Sequence, residues 1–294
     1  MKKIKKLLAV FAAVGVALML PLQTMAAVDL NAKYDISTNQ IQGWPAGPDI
    51  TSDTGILMDA DTGVVLYNKG GDEQRYPASI TKIMTLLVAV ENSTMDEKVT
   101  FTETGVRNVT ADSSNIGTKV GEVLTMEDCL HALIIQSAND VAAQIAEHIG
   151  GTEQAFIDMM NQRASEIGCT NTHFANPNGL HLSDHYSTAY DLYLIFSEFI
   201  KHDLAYLIDS LTSYDFTYTD ANGETRSVTL EATNGYISGE FQFPEGYSLG
   251  SWKSGTTTAA GNCLILEFVK DDTGDKYIAV IAGAEDRSTL YNDM

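Results

Sequence analysis

The sequence predicts an α+β fold: an antiparallel sheet built from both ends of the chain, with a helical lobe inserted between them. Strand-like segments bounded by Gly- and Asp-rich turns occur before residue 70 and again after residue 213. Between them lies a block whose apolar spacing and capping signals are helical. The composition is that of a globular chain: 294 residues, 44% hydrophobic and 19% charged, with no repeats and no low-complexity tracts.

In chain order, Ile56–Met58 and Val64–Tyr67 flank Asp59-Ala60-Asp61-Thr62-Gly63, a hairpin signal. Pro77-Ala78-Ser79 then leads into an apolar run that ends at Glu91. Proline fits a helix start, so Ser79 falls in or near the first turn. Thr125 stands three residues before Asp128, a capping-box-like opening to a helix running to Ile135. Ser137-Ala138-Asn139-Asp140 breaks that pattern, and another helix runs to Ile149 before Gly150-Gly151. Thr152–Ile167 reads as a helix ended by Gly168, and Thr188 with Asp191 opens one more. Its Leu192, Ile195, Phe196 and Phe199 share a face. Strands follow at 214–218, 225–230, 248–257, 263–269 and 277–282. Strands from both ends joining one sheet, with the lobe at about 98–202 beside it, put a site at the junction of the two.

Lys2, Lys3, Lys5 and Lys6 precede an apolar run, Leu7–Leu20, that is short for a membrane span. With small residues at Ala26-Ala27, residues 1–26 read as a secretory signal peptide and place the mature protein outside the cytoplasmic membrane. No later stretch is apolar enough for an anchor. Residues 27–50, with Gly43, Pro45, Gly47 and Pro48, read as a linker before a domain at 51–294. Losing the leader's four lysines and no acids takes the net charge from −21 to −25, which argues against nucleic acid and anionic lipid as partners. Cys129, Cys169 and Cys263 are odd in number and lack metal-ligand spacing; Cys129 and Cys263 read as core residues. His181 and His185, four apart in a loop with no third ligand, read as structural, so no metal is expected.

Three short motifs carry chemistry. Ser79-Ile80-Thr81-Lys82 puts a hydroxyl and an amine on one helix face. A lysine kept neutral by burial and a neighbouring positive charge can take the serine's proton, and a helix N-terminus offers free N–H groups to an oxyanion. Ser137-Ala138-Asn139, in the break between helices, offers a hydroxyl to relay a proton and an amide to bond a substrate. Lys253-Ser254-Gly255-Thr256 lies on a strand; Lys253 and the Thr256 hydroxyl suit a carboxylate, and Gly255 lets a substrate backbone approach. Each motif alone reads as readily as a cap or an edge-strand charge.

Together and in this order, the motifs resemble those of the serine penicillin-recognising enzymes, and within them the low-molecular-weight D-Ala-D-Ala carboxypeptidases. PASITKIMT, SANDVA, FANPNGLHLSDHYSTAYDL and WKSGTTTAAGNC carry the resemblance, which covers about residues 50–290. It implies a β-lactamase/transpeptidase-like fold, with about five antiparallel strands flanked by helices and an inserted α-helical subdomain. It also implies acyl transfer: Ser79 as nucleophile, Lys82 as its base, and Ser137 passing a proton to the leaving D-alanine. The N–H groups of Ser79 and Thr256 would form the oxyanion hole. Asn139 would position the peptide, and Lys253, Ser254, Gly255 and Thr256 would hold the substrate strand and its carboxylate. The implied partners are peptidoglycan stem peptides ending in D-Ala-D-Ala and, as inhibitors, β-lactams; no cofactor is implied.

The third motif reads KSG where KTG is commoner. The chain ends at Asn292-Asp293-Met294, where relatives usually continue into a helix on the sheet, so that helix is expected to be truncated. Arg287 lies near the place where relatives can carry a carboxylate-binding arginine and is left unassigned. The alternatives are a D,D-endopeptidase, a β-lactamase using Glu166 with Asn171, and a non-catalytic β-lactam-binding module.

Overall fold

The computed structural model describes residues 28–204 and 212–294; the leader read at residues 1–26 lies outside them. The main sheet has five antiparallel strands: β1 (Thr54–Asp59) and β2 (Val65–Lys69) come from the front of the chain, and the other three from its end. Numbered in chain order, β3 (Lys98–Thr100) pairs with β4 (Val123–Thr125), and β5 (Ser213–Thr219) with β6 (Thr225–Glu231). The main sheet is then completed by β7 (Tyr247–Thr257), β8 (Gly261–Lys270) and β9 (Lys276–Ala284), giving the order β2-β1-β9-β8-β7.

The central strands β8 and β9 are buried on both faces, which their near-continuous apolar runs require. Cys263, Ile265, Ile278, Val280 and Ala282 join Ile56 and Met58 in the core beneath the helices. Leu264, Leu266, Ala279 and Ile281 alternate to the other face, with Trp252 and Tyr67. Helix α1 (Lys82–Asn92) runs between sheet and lobe and buries every residue from Lys82 to Ala89. Around it stand α3 (Met126–Ile135), α4 (Asn139–Gly150), α5 (Glu153–Ile167) and α6 (Ala189–Phe199), with the short α2 (Glu103–Val106) packed on α4. The N-caps of α3, α5 and α6 are the expected threonines, Thr125, Thr152 and Thr188, each accepting from the N–H three residues on.

The structure departs from the sequence reading in three places. Residues 28–50 are not a free linker: Ile36 bridges Lys69, the Trp44 indole donates to the Leu66 carbonyl, and Ile50 is core. Strands β5 and β6 form their own two-stranded sheet against α3, where Tyr214 stacks on His131, instead of joining the main sheet. A helix does lie over the sheet near the last residues: α7 (Arg287–Asp293), capped by Asp286, buries Leu290 and Tyr291 against β8 and β9. Arg287 is committed there, to Glu240 at 2.9 Å and the Thr233 carbonyl at 3.0 Å, over the Phe241 and Tyr291 rings.

Candidate active site

Ser79 sits in a 3₁₀ turn, Ala78–Thr81, that runs straight into α1. Ala78 is left-handed, φ 48°, a strained setting for a residue with a Cβ. Two glycines make room for that turn. A Cβ on Gly179 would lie 1.9 Å from the Ala78 carbonyl oxygen, and one on Gly255 would lie 2.6 Å from the Ser79 nitrogen. Strand β7 therefore runs directly against the backbone N–H of Ser79, as the glycine of the third motif allows.

Lys82 is fully buried, and its Nζ reaches three oxygens: Ser79 Oγ at 3.0 Å, Asn139 Oδ1 at 2.7 Å and the Asn178 carbonyl at 2.6 Å. Burial drives the Lys82 pKa well below the ordinary lysine value; Lys253 lowers it further and Asp140 opposes them. A neutral lysine has two hydrogens and one lone pair. The Asn178 carbonyl can only accept. Asn139 Oδ1 can only accept as well, because Asn139 Nδ2 donates to Ser113 Oγ at 2.8 Å. Both hydrogens are thus claimed, and the lone pair is left for the Ser79 hydroxyl proton.

Ser137 is the other non-glycine residue in left-handed backbone, φ 58°, among the described residues; its buried Oγ has no hydrogen-bond partner there. Asn139 opens α4, and its side chain serves chiefly to hold Lys82 and Ser113, leaving one amide N–H for a substrate. Lys253 is buried and donates to the Ser254 carbonyl at 2.8 Å. Ser254 is half-buried, whereas Thr256 is exposed and gives its proton to Asn262 Oδ1 at 3.0 Å, so it must rotate to serve a carboxylate. The three motifs thus converge around α1: Ser79, Lys82 and Asn139 are linked by hydrogen bonds, and β7 closes on Ser79.

Several contributors were missed. The Asn178 carbonyl and Gly179 come from a Pro-Asn-Gly turn, whose composition signals a turn but not its contact. Asp140, next to the second motif, accepts from Thr118 Oγ1 at 2.9 Å and from the Thr118 and Ile116 N–H groups. With the Asn139 N–H donating to the Ser114 carbonyl at 2.8 Å, this ties the 113–118 loop to the site. Burial raises the Asp140 pKa. Glu166 lies elsewhere: it is half-exposed on α5, bonded to Gln162 at 2.8 Å, while Asn171 binds Gln74 and the Asp72 carbonyl.

A sequence profile described as D-alanyl-D-alanine carboxypeptidase, Peptidase S11, matches residues 41–286. The chain belongs to this family. Among family relatives, D-alanyl-D-alanine carboxypeptidase DacF of Bacillus subtilis is 36% identical over 236 residues, 78% of this chain and 56% of its own. DacC of Escherichia coli is 30% identical, over 84% of this chain and 60% of its own. The chain thus spans little more than half the length of these relatives. The crystal structure of the Streptomyces K15 DD-transpeptidase superposes with a TM-score of 0.76 at 28% identity, covering 85% of this chain and 96% of that one. The Peptidase S11 fold is therefore present here, with its five-stranded sheet and flanking helices.

Proposed function

We propose that this Peptidase S11 protein is a serine D-Ala-D-Ala carboxypeptidase. It removes the terminal D-alanine from peptidoglycan pentapeptides through an acyl-enzyme on Ser79, and β-lactams inhibit it by acylating the same hydroxyl. The observation that carries this reading is the three-oxygen setting of a buried, neutral-favouring Lys82, with its lone pair left for Ser79.

Lys82 takes the Ser79 proton as Oγ adds to the carbonyl between the two D-alanines. The oxyanion forms beside the Ser79 N–H, with Thr256 supplying the second donor from β7. The carbon–nitrogen bond then breaks, and the unpartnered Ser137 hydroxyl passes a proton from Lys82 to the departing amine. Lys253, Ser254, Gly255 and Thr256 hold the substrate strand and its carboxylate, and Asn139 uses its remaining N–H on the peptide. Water, activated by the same lysine, releases the shortened peptide and restores Ser79. The domain at 51–294 acts outside the cytoplasmic membrane, after the signal peptide at 1–26 has delivered it; cell-wall stem peptides are found there.

A D,D-endopeptidase is the second reading, favoured by a 28% identity over 223 residues to the D-alanyl-D-alanine endopeptidase of Escherichia coli. The position of Glu166 on the outer part of α5 argues against a β-lactamase that activates water through it. Release of D-alanine from a diacyl-Lys-D-Ala-D-Ala peptide, compared with Ser79→Ala, tests the proposal. Release lost in the variant supports it; cleavage of cross-linked dimers alone supports the endopeptidase.

A further inference from the structure

Behind the 3₁₀ turn lies a loop, residues 174–187, whose ends are tied to Asn161 and Arg75 and whose middle makes four attachments to that turn and the start of α1. Thr85 Oγ1 donates to the Pro177 carbonyl at 2.5 Å, Lys82 donates to the Asn178 carbonyl, and Gly179 abuts Ala78. The loop tip is closed on itself: Asn176 Oδ1 accepts from the Gly179 N–H at 2.7 Å, and its Nδ2 donates to the Leu180 carbonyl at 2.8 Å.

The fourth attachment is a histidine. His185 is 2% exposed, and Nε2 lies 2.8 Å from Thr81 Oγ1, one residue before Lys82. Its Nδ1 accepts from the Ala175 N–H at 3.0 Å. A neutral imidazole that accepts at Nδ1 carries its hydrogen on Nε2, so His185 donates to Thr81. Protonating Nδ1 would set two donors against each other. Burial favours the neutral ring in any case, pushing its pKa down to about 3, with His173, Lys82 and His181 acting in the same direction.

The four attachments differ in what the reaction asks of them. The Lys82 bond must survive as the lysine gains and loses a proton, so it is the one whose geometry is tested in every turnover. The His185–Thr81 bond joins two groups that do not change charge. It can therefore serve as a fixed anchor, holding the Asn178 carbonyl against Lys82 while the lysine cycles.

We infer that His185 is a positioning residue for acylation: through Thr81 it fixes the 174–187 loop on α1 and thereby aims the Lys82 lone pair at Ser79. The inference rests on the Ser79–Lys82 reading and adds to it a residue outside the three motifs. A purely structural histidine would change stability and leave the chemistry of the folded enzyme alone.

The test is stopped-flow acylation by a fluorescent penicillin, which separates non-covalent binding from the acylation rate constant, on folded wild type, Thr81→Val, His185→Phe, His185→Gln and the double variant Thr81→Val/His185→Phe. Misplacing a catalytic group by about 1 Å costs up to about a hundredfold, so the expected loss in rate constant for Thr81→Val and His185→Phe is about tenfold or more. Binding should stay within about twofold, since only the transition state uses the aimed lone pair. His185→Gln, which keeps an N–H donor for Thr81, should recover most of the rate, and the double variant should be no slower than the slower single one. Should His185→Phe not fold, Thr81→Val reads the same bond from the other side. Wild type and folded variants acylating at equal rates would overturn the role of His185 alone. A wild type that takes no label would overturn the Ser79 reading beneath it.

Discussion

Lys82 and Asn139 are joined by a 2.7 Å hydrogen bond in which the lysine can only donate, because the far end of the Asn139 amide is spent on Ser113. That relationship turns an ordinary asparagine into the group that orients a buried amine. Replacing Asn139 by Asp sets a carboxylate against Nζ, which favours the ammonium form and raises the Lys82 pKa. Acylation should fall at neutral pH by about tenfold or more and recover as pH rises, following the fraction of neutral lysine. A pH profile of penicillin acylation measures it, with Asn139→Ala as the control that loses rate without shifting the acid limb upward.

Lys253 bears on the same titration from the strand side. Its charge lowers the Lys82 pKa, second only to burial. Lys253→Met removes that influence, so Lys82 titrates at higher pH and the acid limb of acylation moves up. The variant should also bind peptide substrates ending in a carboxylate more weakly, seen as a raised KM.

Gly179→Ala tests the close approach behind the nucleophile. The added Cβ would sit 1.9 Å from the Ala78 carbonyl oxygen, and the residue holds φ +85°. Overlap and left-handed backbone together should cost on the order of 3 kcal/mol. For a chain of this size that lowers Tm by roughly 5–10 °C, which calorimetry would detect.

His185 also makes the fold sensitive to acid. Burial pushes its pKa down to about 3 in the fold, against about 6.5 for an exposed imidazole, so between those values the unfolded chain binds a proton that the native state refuses. Its contribution is fully present above about pH 6.5 and is lost as pH falls toward about 3. Thermal unfolding across that range should show Tm falling with pH, and the fall should be shallower in His185→Phe.

The motif residues were legible because short spacings encode them. Ser79 and Lys82 are neighbours on one turn, and the broken helix pattern marks Ser137 and Asn139. What joins them was not legible. The third oxygen on Lys82 is a backbone carbonyl 96 residues away, and a carbonyl leaves no side-chain signature. Strands β3 and β4 are three residues each, too short for an alternating pattern to show. The glycines and prolines of residues 43–48 suggest a linker, yet Trp44 among them and Ile50 just after them anchor the segment to the sheet. For β5 and β6 the local pattern gave the hairpin, while its partner was decided by the aromatic row of Tyr214, Phe216 and Tyr218 facing α3 and Glu122. Asp286, three residues before Thr289, was a readable cap for α7.

The central claim is that a neutral Lys82 delivers Ser79 to a carbonyl. Mass spectrometry of penicillin-treated protein, with the modified peptide sequenced, tests it most directly in wild type, Ser79→Ala and Lys82→Ala. The account predicts one adduct, on Ser79, absent from Ser79→Ala and formed far more slowly in folded Lys82→Ala. An adduct on another residue, or labelling of Lys82→Ala at the wild-type rate, would contradict it.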